Sequence, residues 1–186
     1  MARRLFVRIE VSTLADAIAD VQAPFAEAAG IDPTDPEQAH VTLKFLGDTE
    51  SDRLPVVREA IDGAVADADI APFEARLGGL GVFPDFEYIT VIWIGVREGA
   101  SEMVRLHEAL EARTTALGFD PTDHEFTPHV TIGRMRHAGG KERVQELIAE
   151  RDPDLGTVSV DAIELTESHL DGDGPTYEVL DRIALD

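Results

Sequence analysis

The tripeptide His-Val-Thr occurs twice in this chain of 186 residues, at positions 40–42 and 129–131. Each copy lies in the second strand of a β-α-β-α-β order, and the chain runs through that order twice and ends with one further strand. The two copies start 89 residues apart (129 − 40), which is close to half of the chain. We interpret this as an internal duplication, which predicts two similar lobes related by a pseudo-two-fold axis. Such an axis would place the two His-Val-Thr strands face to face across a cleft.

Strand alternation decides which side chains this cleft receives. In a strand, residues i and i+2 point to the same side, so His40 and Thr42 share one face. His129 and Thr131 share a face for the same reason. The apolar residues Val41 and Val130, which lie between the polar residues of each motif, point to the opposite face and are expected to pack in the core. The sequence therefore predicts two imidazoles and two hydroxyls around one pocket.

Two imidazoles beside two hydroxyls suit the hydrolysis of a phosphodiester. An unperturbed histidine titrates near ~6.5, so one ring can take a proton from water while the other protonates the leaving oxygen. Threonine hydroxyls can donate to the non-bridging phosphate oxygens. This scheme needs no metal ion and no other cofactor. Two alternatives stay open: a packed histidine in an ordinary strand, and a zinc site on His40 and His129, for which a third ligand is needed.

Five other side chains are candidates for further roles. Lys44 has the strand parity of the first motif, which predicts either a place at the cleft rim near the phosphate or a surface position. Arg134 has the opposite parity to the second motif, so it reaches the phosphate only if the strand twists or ends there. Phe83 and Tyr177 can stack on a base, although core or turn packing is favoured for Phe83. His107, within a predicted helix, is expected to be solvated.

The charge balance restricts the partners. The chain has 16 basic and 37 acidic residues and a formal net charge of −21. Scattered carboxylates in such excess are typical of salt-adapted cytoplasmic proteins, such as those of halophilic archaea, because salt screens their mutual repulsion. An acidic mesophilic protein is the alternative. The same charge disfavours binding to long duplex DNA and favours a monomer.

The composition also restricts the kind of site and the location. Cysteine is absent, which excludes disulfides, thiolate zinc sites and a cysteine nucleophile. No apolar run approaches ~18 residues, so no membrane-spanning helix is expected. The first residues lack the apolar stretch of a signal peptide. We therefore expect a cytoplasmic protein with no membrane partner.

Longer segments around the two motifs resemble those of a known family. H-V-T-L-K-F-L-G at 40–47 and F-T-P-H-V-T-I-G-R at 126–134 are similar to the two signatures of the two-histidine (2H) phosphoesterase superfamily. Within it, the chain most resembles the RNA 2′,3′-cyclic phosphodiesterase, or 2′-5′ RNA ligase, family. That resemblance spans nearly the whole chain and includes R-L-F-V at 4–7, G-V-F-P at 81–84, W-I-G-V at 93–96, E-S-H-L at 167–170 and G-P-T-Y at 174–177.

The resemblance implies an α+β fold. It would be internally duplicated and bilobal, with two antiparallel sheets lining a central cleft and helices on the outside. Residues 1–186 would form one domain, with approximate sequence halves 1–80 and 81–186. We also expect the first motif strand to end at Gly47 and the segment 81–84 to form a turn.

The resemblance also implies an activity, the hydrolysis of a terminal RNA 2′,3′-cyclic phosphate to a 2′-phosphomonoester. His40 would donate a proton to the 3′-oxygen, His129 would accept a proton from water, and Thr42 and Thr131 would bind the phosphate. The substrates would be RNA ends or 2′,3′-cyclic nucleotides, and the reverse reaction would be a 2′-5′ ligation. The alternatives are another substrate of the superfamily, such as ADP-ribose 1″,2″-cyclic phosphate or a 2′-5′ oligoadenylate, and a non-catalytic module that binds RNA ends.

Overall fold

Nine strands and four helices make up the part of the chain that the structure, a computed structural model, describes: residues 1–170, 172 and 174–186. The strands are β1 Ala2–Glu10, β2 Ile31–Pro33, β3 His40–Glu50, β4 Phe73–Pro84, β5 Ile89–Glu98, β6 His129–Met135, β7 Asp154–Val160, β8 Ala162–Leu170 and β9 Pro175–Ala184. The helices are α1 Ala15–Ala26, α2 Leu54–Ala68, α3 Ala100–Ala116 and α4 Lys141–Glu150. Among the described residues, no helix is long and apolar enough to cross a membrane.

The strands pair antiparallel in one sheet, in the order β7-β4-β5-β6-β3-β1-β8-β9, with β2 beside β6. The two motif strands, β3 and β6, lie at the centre of this order and meet where Val41 pairs with Val130. The predicted α+β class with antiparallel strands is therefore confirmed. The two sheets expected from the resemblance are the two halves of one continuous sheet, joined at this seam.

Each half of the sheet combines strands from both copies of the repeat. β3 and β1 are extended by β8 and β9 from the end of the chain, whereas β6 and β5 are extended by β4 and β7. β4 follows the second helix of the first copy but pairs with strands of the second copy. A division of the sequence at residue 80 falls inside β4, so the repeat in sequence and the halves in space have different boundaries.

The core lies between the sheet and the helices. The motif valines are fully buried, as are Leu43 on β3 and Ile132 on β6. α3 packs against β3, α1 packs against β6, and α2 packs along α3. Because side chains alternate along a strand, this packing leaves the polar side chains of both motifs on the other face of the sheet.

Two segments that contain glycine differ from their predictions. β3 does not end at Gly47 but continues to Glu50, because Gly47 takes a positive φ of 72° beside Leu46, an extra residue relative to β1. Glycine adopts this conformation without strain, and the result is a β-bulge within the strand. The segment 81–84 is the last part of β4 rather than a turn. There Gly81 leaves room for the indole of Trp93, with which a side chain at position 81 would collide.

Candidate active site

The seam between β3 and β6 brings the two His-Val-Thr motifs together. The valines of the motifs pair with each other, and this antiparallel register sets His40 opposite Thr131 and Thr42 opposite His129. All four side chains are partly exposed, in contrast to the buried valines. In this register the two histidines are diagonal neighbours across the seam. The sheet therefore provides two imidazoles and two hydroxyls on one surface.

The two imidazoles are oriented in the same way. Nδ1 of His40 lies 2.9 Å from the carbonyl oxygen of Gln38, and Nδ1 of His129 lies 2.7 Å from that of Thr127. A carbonyl oxygen only accepts, so Nδ1 carries the proton in each neutral ring and Nε2 holds the lone pair. Each ring therefore offers a proton acceptor at Nε2, which becomes a donor when the ring is charged.

Aromatic rings pack against each imidazole. The centroids of Phe6 and Tyr177 both lie 5.3 Å from that of the first imidazole, with Tyr177 edge-on. The centroids of Phe83 and Trp93 lie 4.8 and 5.8 Å from that of the second imidazole. Tyr177 is thus part of the site, and Phe83 packs against Trp93 at 5.1 Å. These contacts restrict the rotation of both imidazoles.

Burial and positive neighbours keep both imidazoles neutral. Desolvation is the main cause that lowers the pKa of His40 to about 4, and the charges of Arg8, His129 and Arg134 lower it further. Desolvation also lowers the pKa of His129, with contributions from Arg134 and His124. The hydrogen bonds to the backbone carbonyls oppose both shifts. In the free protein at neutral pH, both rings are therefore uncharged.

A β-bulge after the first motif turns Lys44 away from the cleft. Two successive residues of β1 pair with Thr42 and Lys44, so Leu43 is an extra residue and the alternation of side chains reverses beyond it. Lys44 is only 3% exposed. Its Nζ donates to Oε2 of Glu111 at 2.9 Å and to the carbonyl oxygen of Asp120 at 2.8 Å. Both predicted places of Lys44, the cleft rim and a surface position, are wrong, because strand parity holds only in a regular ladder and the ammonium is buried against Glu111.

The same kind of bulge after the second motif turns Arg134 toward the cleft. Two successive residues of β5 pair with Thr131 and Gly133, so Ile132 is the extra residue. Arg134 is exposed, and its charge lowers the pKa of both motif histidines. Parity alone predicted the opposite side of the strand. The bulge, rather than a twist or an end of the strand, brings the guanidinium to the imidazoles.

Two residues of this surface were missed from the sequence. Phe45, just beyond the first bulge, is 72% exposed, and its ring centroid lies 6.1 Å from that of Phe6. Arg8 on β1 has its guanidinium 5.7 Å from the Tyr177 ring, while its Nε donates to Glu164 at 3.0 Å. Alternation along β1 could have identified Arg8. The exposure of Phe45 depends on the bulge, for which the sequence pattern has no signal.

A group of potential metal ligands lies elsewhere in the described residues. Within residues 1–170, 172 and 174–186, Glu167, His169 and Glu178 have ligand atoms within 4.8 Å of one another, and the group includes neither motif histidine. Glu167 also accepts a hydrogen bond from Arg3 at 2.8 Å. This group on β8 and β9 is therefore an ion-paired cluster, separate from the seam.

Comparison with known sequences points to one family. The family profile described as the 2′-5′ RNA ligase superfamily matches residues 11–172. The RNA 2′,3′-cyclic phosphodiesterase of Methanocaldococcus jannaschii is 32% identical over 179 residues, which cover 95% of this chain and 98% of that protein. The RNA 2′,3′-cyclic phosphodiesterase of Aeropyrum pernix is 37% identical over 145 residues, which cover 77% of this chain and 80% of that protein.

Solved structures share the same fold. A protein of Thermus thermophilus matches with a TM-score of 0.78 at 29% identity, covering 98% of this chain and 97% of that chain. E. coli LigT complexed with 3′-AMP matches with a TM-score of 0.79 at 21% identity, covering 100% of this chain and 99% of that chain. At that lower identity the likeness concerns the fold alone.

Proposed function

Since the chain belongs to the 2′-5′ RNA ligase superfamily, we propose that it hydrolyses the terminal 2′,3′-cyclic phosphate of RNA to a 2′-phosphomonoester. One observation carries this proposal: two imidazoles, each held by a bond from Nδ1 to a backbone carbonyl, present Nε2 across the seam between β3 and β6. The names of the relatives at 32% and 37% identity support the same reaction.

Acid and base work divides between the two imidazoles. One Nε2 takes a proton from water as the water oxygen forms a bond to phosphorus. The bond from phosphorus to the 3′-oxygen breaks, and the other ring gives its proton to that oxygen, so the phosphate stays on the 2′-oxygen. Following the family resemblance, we assign His40 as the donor and His129 as the acceptor. Each such transfer typically contributes ~10²–10⁴-fold to the rate.

The remaining groups of the cleft suit the phosphate and the base. Thr42 and Thr131 can donate hydrogen bonds to the non-bridging oxygens, where negative charge increases in the transition state. The guanidinium of Arg134 adds charge-assisted hydrogen bonds to the same oxygens. Phe45 has an open face on which a base can stack. Stacking of a base on Tyr177 stays a prediction, since its ring is partly buried and edge-on to an imidazole.

Because the pKa of His40 is low, this ring can act as the acid only if the bound substrate favours its protonated form. An imidazole with a pKa of about 4 is almost wholly neutral at pH 7. An anionic phosphate beside the ring favours its charged form and so raises its pKa when the substrate binds. Since kcat/KM reports the ionisation of the free protein, its pH optimum is expected below about 6.5.

The other features of the reaction belong to the same proposal. The scheme uses no metal ion, and the reverse reaction would form a 2′-5′ linkage between RNA ends. A cytoplasmic location, a monomeric state and salt adaptation stay predictions from the composition. Hydrolysis of another cyclic phosphate and binding of RNA ends without catalysis are the competing functions.

A panel of substrates at low and high salt tests the proposal. We expect turnover of 2′,3′-cyclic nucleotides and of RNA ending in a 2′,3′-cyclic phosphate, with only the 2′-phosphate as product and with no effect of EDTA. Assays at ~1 M salt are included because screening relieves repulsion in a protein of net charge −21. Binding without turnover at every salt concentration would leave only the binding module. Inhibition by EDTA that zinc reverses would favour a metal site.

A further inference from the structure

The bulge that directly follows each motif, at Leu43 in β3 and at Ile132 in β6, has its extra carbonyl bound by a buried side chain of a helix. Nδ1 of His107 on α3 lies 2.7 Å from the carbonyl oxygen of Leu43, and Nε2 of Gln22 on α1 donates to that of Ile132 at 2.9 Å. His107 is 8% exposed and Gln22 is 6% exposed. The expectation that His107 is solvated is therefore wrong. Its ring lies in the core, at the point where the alternation of β3 reverses.

The two contacts are equivalent under the internal repeat. Gln22 is the eighth residue of α1 and His107 is the eighth residue of α3. α1 follows β1 of the first copy but packs against β6, while α3 follows β5 of the second copy but packs against β3. Each donor therefore comes from one copy and binds the bulge of the other. The same contact at equivalent places in both copies indicates that it serves the bulge itself.

Neighbouring groups fix the direction of both donors. The His107 ring stacks on Phe126, with centroids 4.2 Å apart and an interplanar angle of 6°. Nε2 of Gln22 also donates to the carbonyl oxygen of Thr34 at 2.8 Å, and the hydroxyl of Thr34 donates to the backbone carbonyl oxygen of Thr131 at 3.0 Å. Neither donor is in a position to touch substrate, because both lie on the helix side of the sheet.

The bulged pairing of each motif strand competes with regular pairing. The hydrogen bond from the helix side chain to the carbonyl of the extra residue favours the bulged pairing. The extra residue of a bulge is left out of the ladder with β1 or β5, so its buried carbonyl needs a donor from elsewhere. The carbonyl of Leu43 is bound by His107, and that of Ile132 is bound by Gln22 and by the backbone N–H of Thr34 at 3.0 Å.

Loss of His107 leaves the Leu43 carbonyl without a donor, and loss of Gln22 leaves the Ile132 carbonyl with the Thr34 N–H alone. A shift to regular pairing then becomes more favourable, and it reverses the side chains that directly follow the bulge. Phe45 and Arg134 would then turn toward the helices.

We propose that Gln22 and His107 are positioning residues that hold the two bulges and thereby keep Arg134 and Phe45 on the cleft face. His107 acts on Phe45 through Leu43, and Gln22 acts on Arg134 through Ile132. This inference rests on the proposed function for its effect on turnover, but its effect on the backbone does not depend on any activity.

Amide hydrogen exchange tests the effect on the backbone. His107→Phe keeps a ring that can stack on Phe126 but removes the donor, and Gln22→Met keeps the length but removes the donor. We expect His107→Phe to raise exchange within 43–46 at least about threefold and to leave 132–135 unchanged, with the reverse for Gln22→Met. His107→Gln supplies the amide donor that serves the other bulge and should restore most of the protection. Equal changes in both segments, or none in either, would overturn the proposal.

Double-mutant cycles test the effect on turnover of a 2′,3′-cyclic nucleotide. Phe45→Ala should lower kcat/KM about 10-fold in the otherwise unchanged protein but less than about threefold in the His107→Phe background. Arg134→Ala should show the same loss of effect in the Gln22→Met background. The crossed pairs, His107 with Arg134 and Gln22 with Phe45, are matched controls and should be additive. A structural role alone would couple all four pairs or none, and either result contradicts the proposal.

The two tests separate this inference from the proposed function. If the protein turned over no cyclic phosphate but showed the local exchange changes described above, the proposed function would be rejected. The role of Gln22 and His107 in holding the bulges would still be supported. A protein with turnover but with additive effects in the four cycles would retain the proposed function and reject the positioning role.

Discussion

Strands β3 and β6 carry the same motif and a bulge at the same place, yet the residues beyond the two bulges differ. In β3 the position that turns inward is Lys44 and the next, which turns to the cleft, is Phe45. In β6 the corresponding residues are Gly133 and Arg134. Lys44 forms an ion pair with α3, whereas Gly133 lies against β2. The backbone is thus repeated where the side chains have diverged.

This difference shows how a symmetric frame can hold an asymmetric substrate. A 2′,3′-cyclic phosphate has two different ester oxygens and a base on one side only. Two equivalent imidazoles do not distinguish these oxygens. In the proposed reaction, the aromatic ring beyond one bulge and the guanidinium beyond the other would give the cleft two unlike ends and so fix the direction of the substrate. We therefore expect the residues in which the two strands differ to decide which ester oxygen leaves.

The largest expected effect separates the two histidines. His40→Ala and His129→Ala should each lower kcat about 10²–10⁴-fold while the circular dichroism spectrum stays unchanged. A substrate with sulfur in place of the 3′-oxygen has a leaving group that needs no proton. This substrate should restore turnover in His40→Ala but not in His129→Ala. If the sulfur substrate restored turnover only in His129→Ala, then His129 would be the proton donor and His40 the acceptor. If it restored both variants equally, the two histidines would not have separate roles.

Arg134→Ala tests the cationic end of the cleft. We expect kcat/KM to fall about 10–100-fold, because hydrogen bonds to a charged group are lost from the phosphate. The pKa of each motif histidine should rise, since Arg134 lowers both, and the pH profile of kcat/KM should move to higher pH. Arg136→Ala, which removes an arginine paired with Asp32 at 2.9 Å, is the matched control. Equal effects of the two substitutions would show that the bulge does not place Arg134 at the phosphate.

The stability of the fold should fall at acidic pH because of His40. Its pKa is about 4 in the folded chain and near 6.5 when unfolded, so the unfolded chain binds the proton first as the pH falls. Stability is therefore unaffected above about pH 6.5 and decreases down to about pH 4, by roughly 2 kcal/mol after allowance for partial exposure. Urea denaturation in high salt should show a shallower pH dependence for His40→Gln than for the unchanged protein. Parallel curves would contradict the burial of this ring.

The two lysines of the chain give the smallest predicted effect. Lys44→Met should lower the free energy of unfolding by about 1–3 kcal/mol, because Glu111 loses its charged donor and the carbonyl of Asp120 loses the ammonium as a donor. KM for a cyclic nucleotide should change less than about twofold, since the ammonium does not face the cleft. Lys141→Met, at an exposed pair 3.8 Å from Glu87, should cost less than about 0.5 kcal/mol. A large rise in KM for Lys44→Met would instead support the prediction from strand parity that Lys44 lies at the cleft rim near the phosphate.

The ion pair of Lys44 also explains the lowered pKa of its partner, Glu111. Burial alone would raise the pKa of Glu111, but hydrogen bonds from Lys44 and Thr122 outweigh it and hold the pKa below its ordinary value. Thr122 precedes the second motif by a few residues, and its backbone N–H donates to Glu111 at 2.6 Å. The inward-turned lysine thus connects the first motif strand to the segment that leads into the second.

Sequence patterns predicted the elements that depend on local alternation. The helices that bury Ile18 and Leu106 were predicted from periodicity, and the strands that carry His40 and His129 from alternation and repetition. Predictions failed where one extra residue changes the phase, as at Lys44. A bulge is defined by the pairing of two strands distant in the chain, and one strand read alone does not contain it.

By itself, the sequence predicted two copies of one unit, each of which contributes an imidazole and a hydroxyl from the same strand face. Those predictions need only the alternation of side chains along the His-Val-Thr strand and the second occurrence of that motif. The tertiary structure alone decided which side chains join them, because β1 and β5 set the bulges, and buried donors on α3 and α1 bind the freed carbonyls. Those pairings link residues far apart in the chain, so no local pattern specifies them.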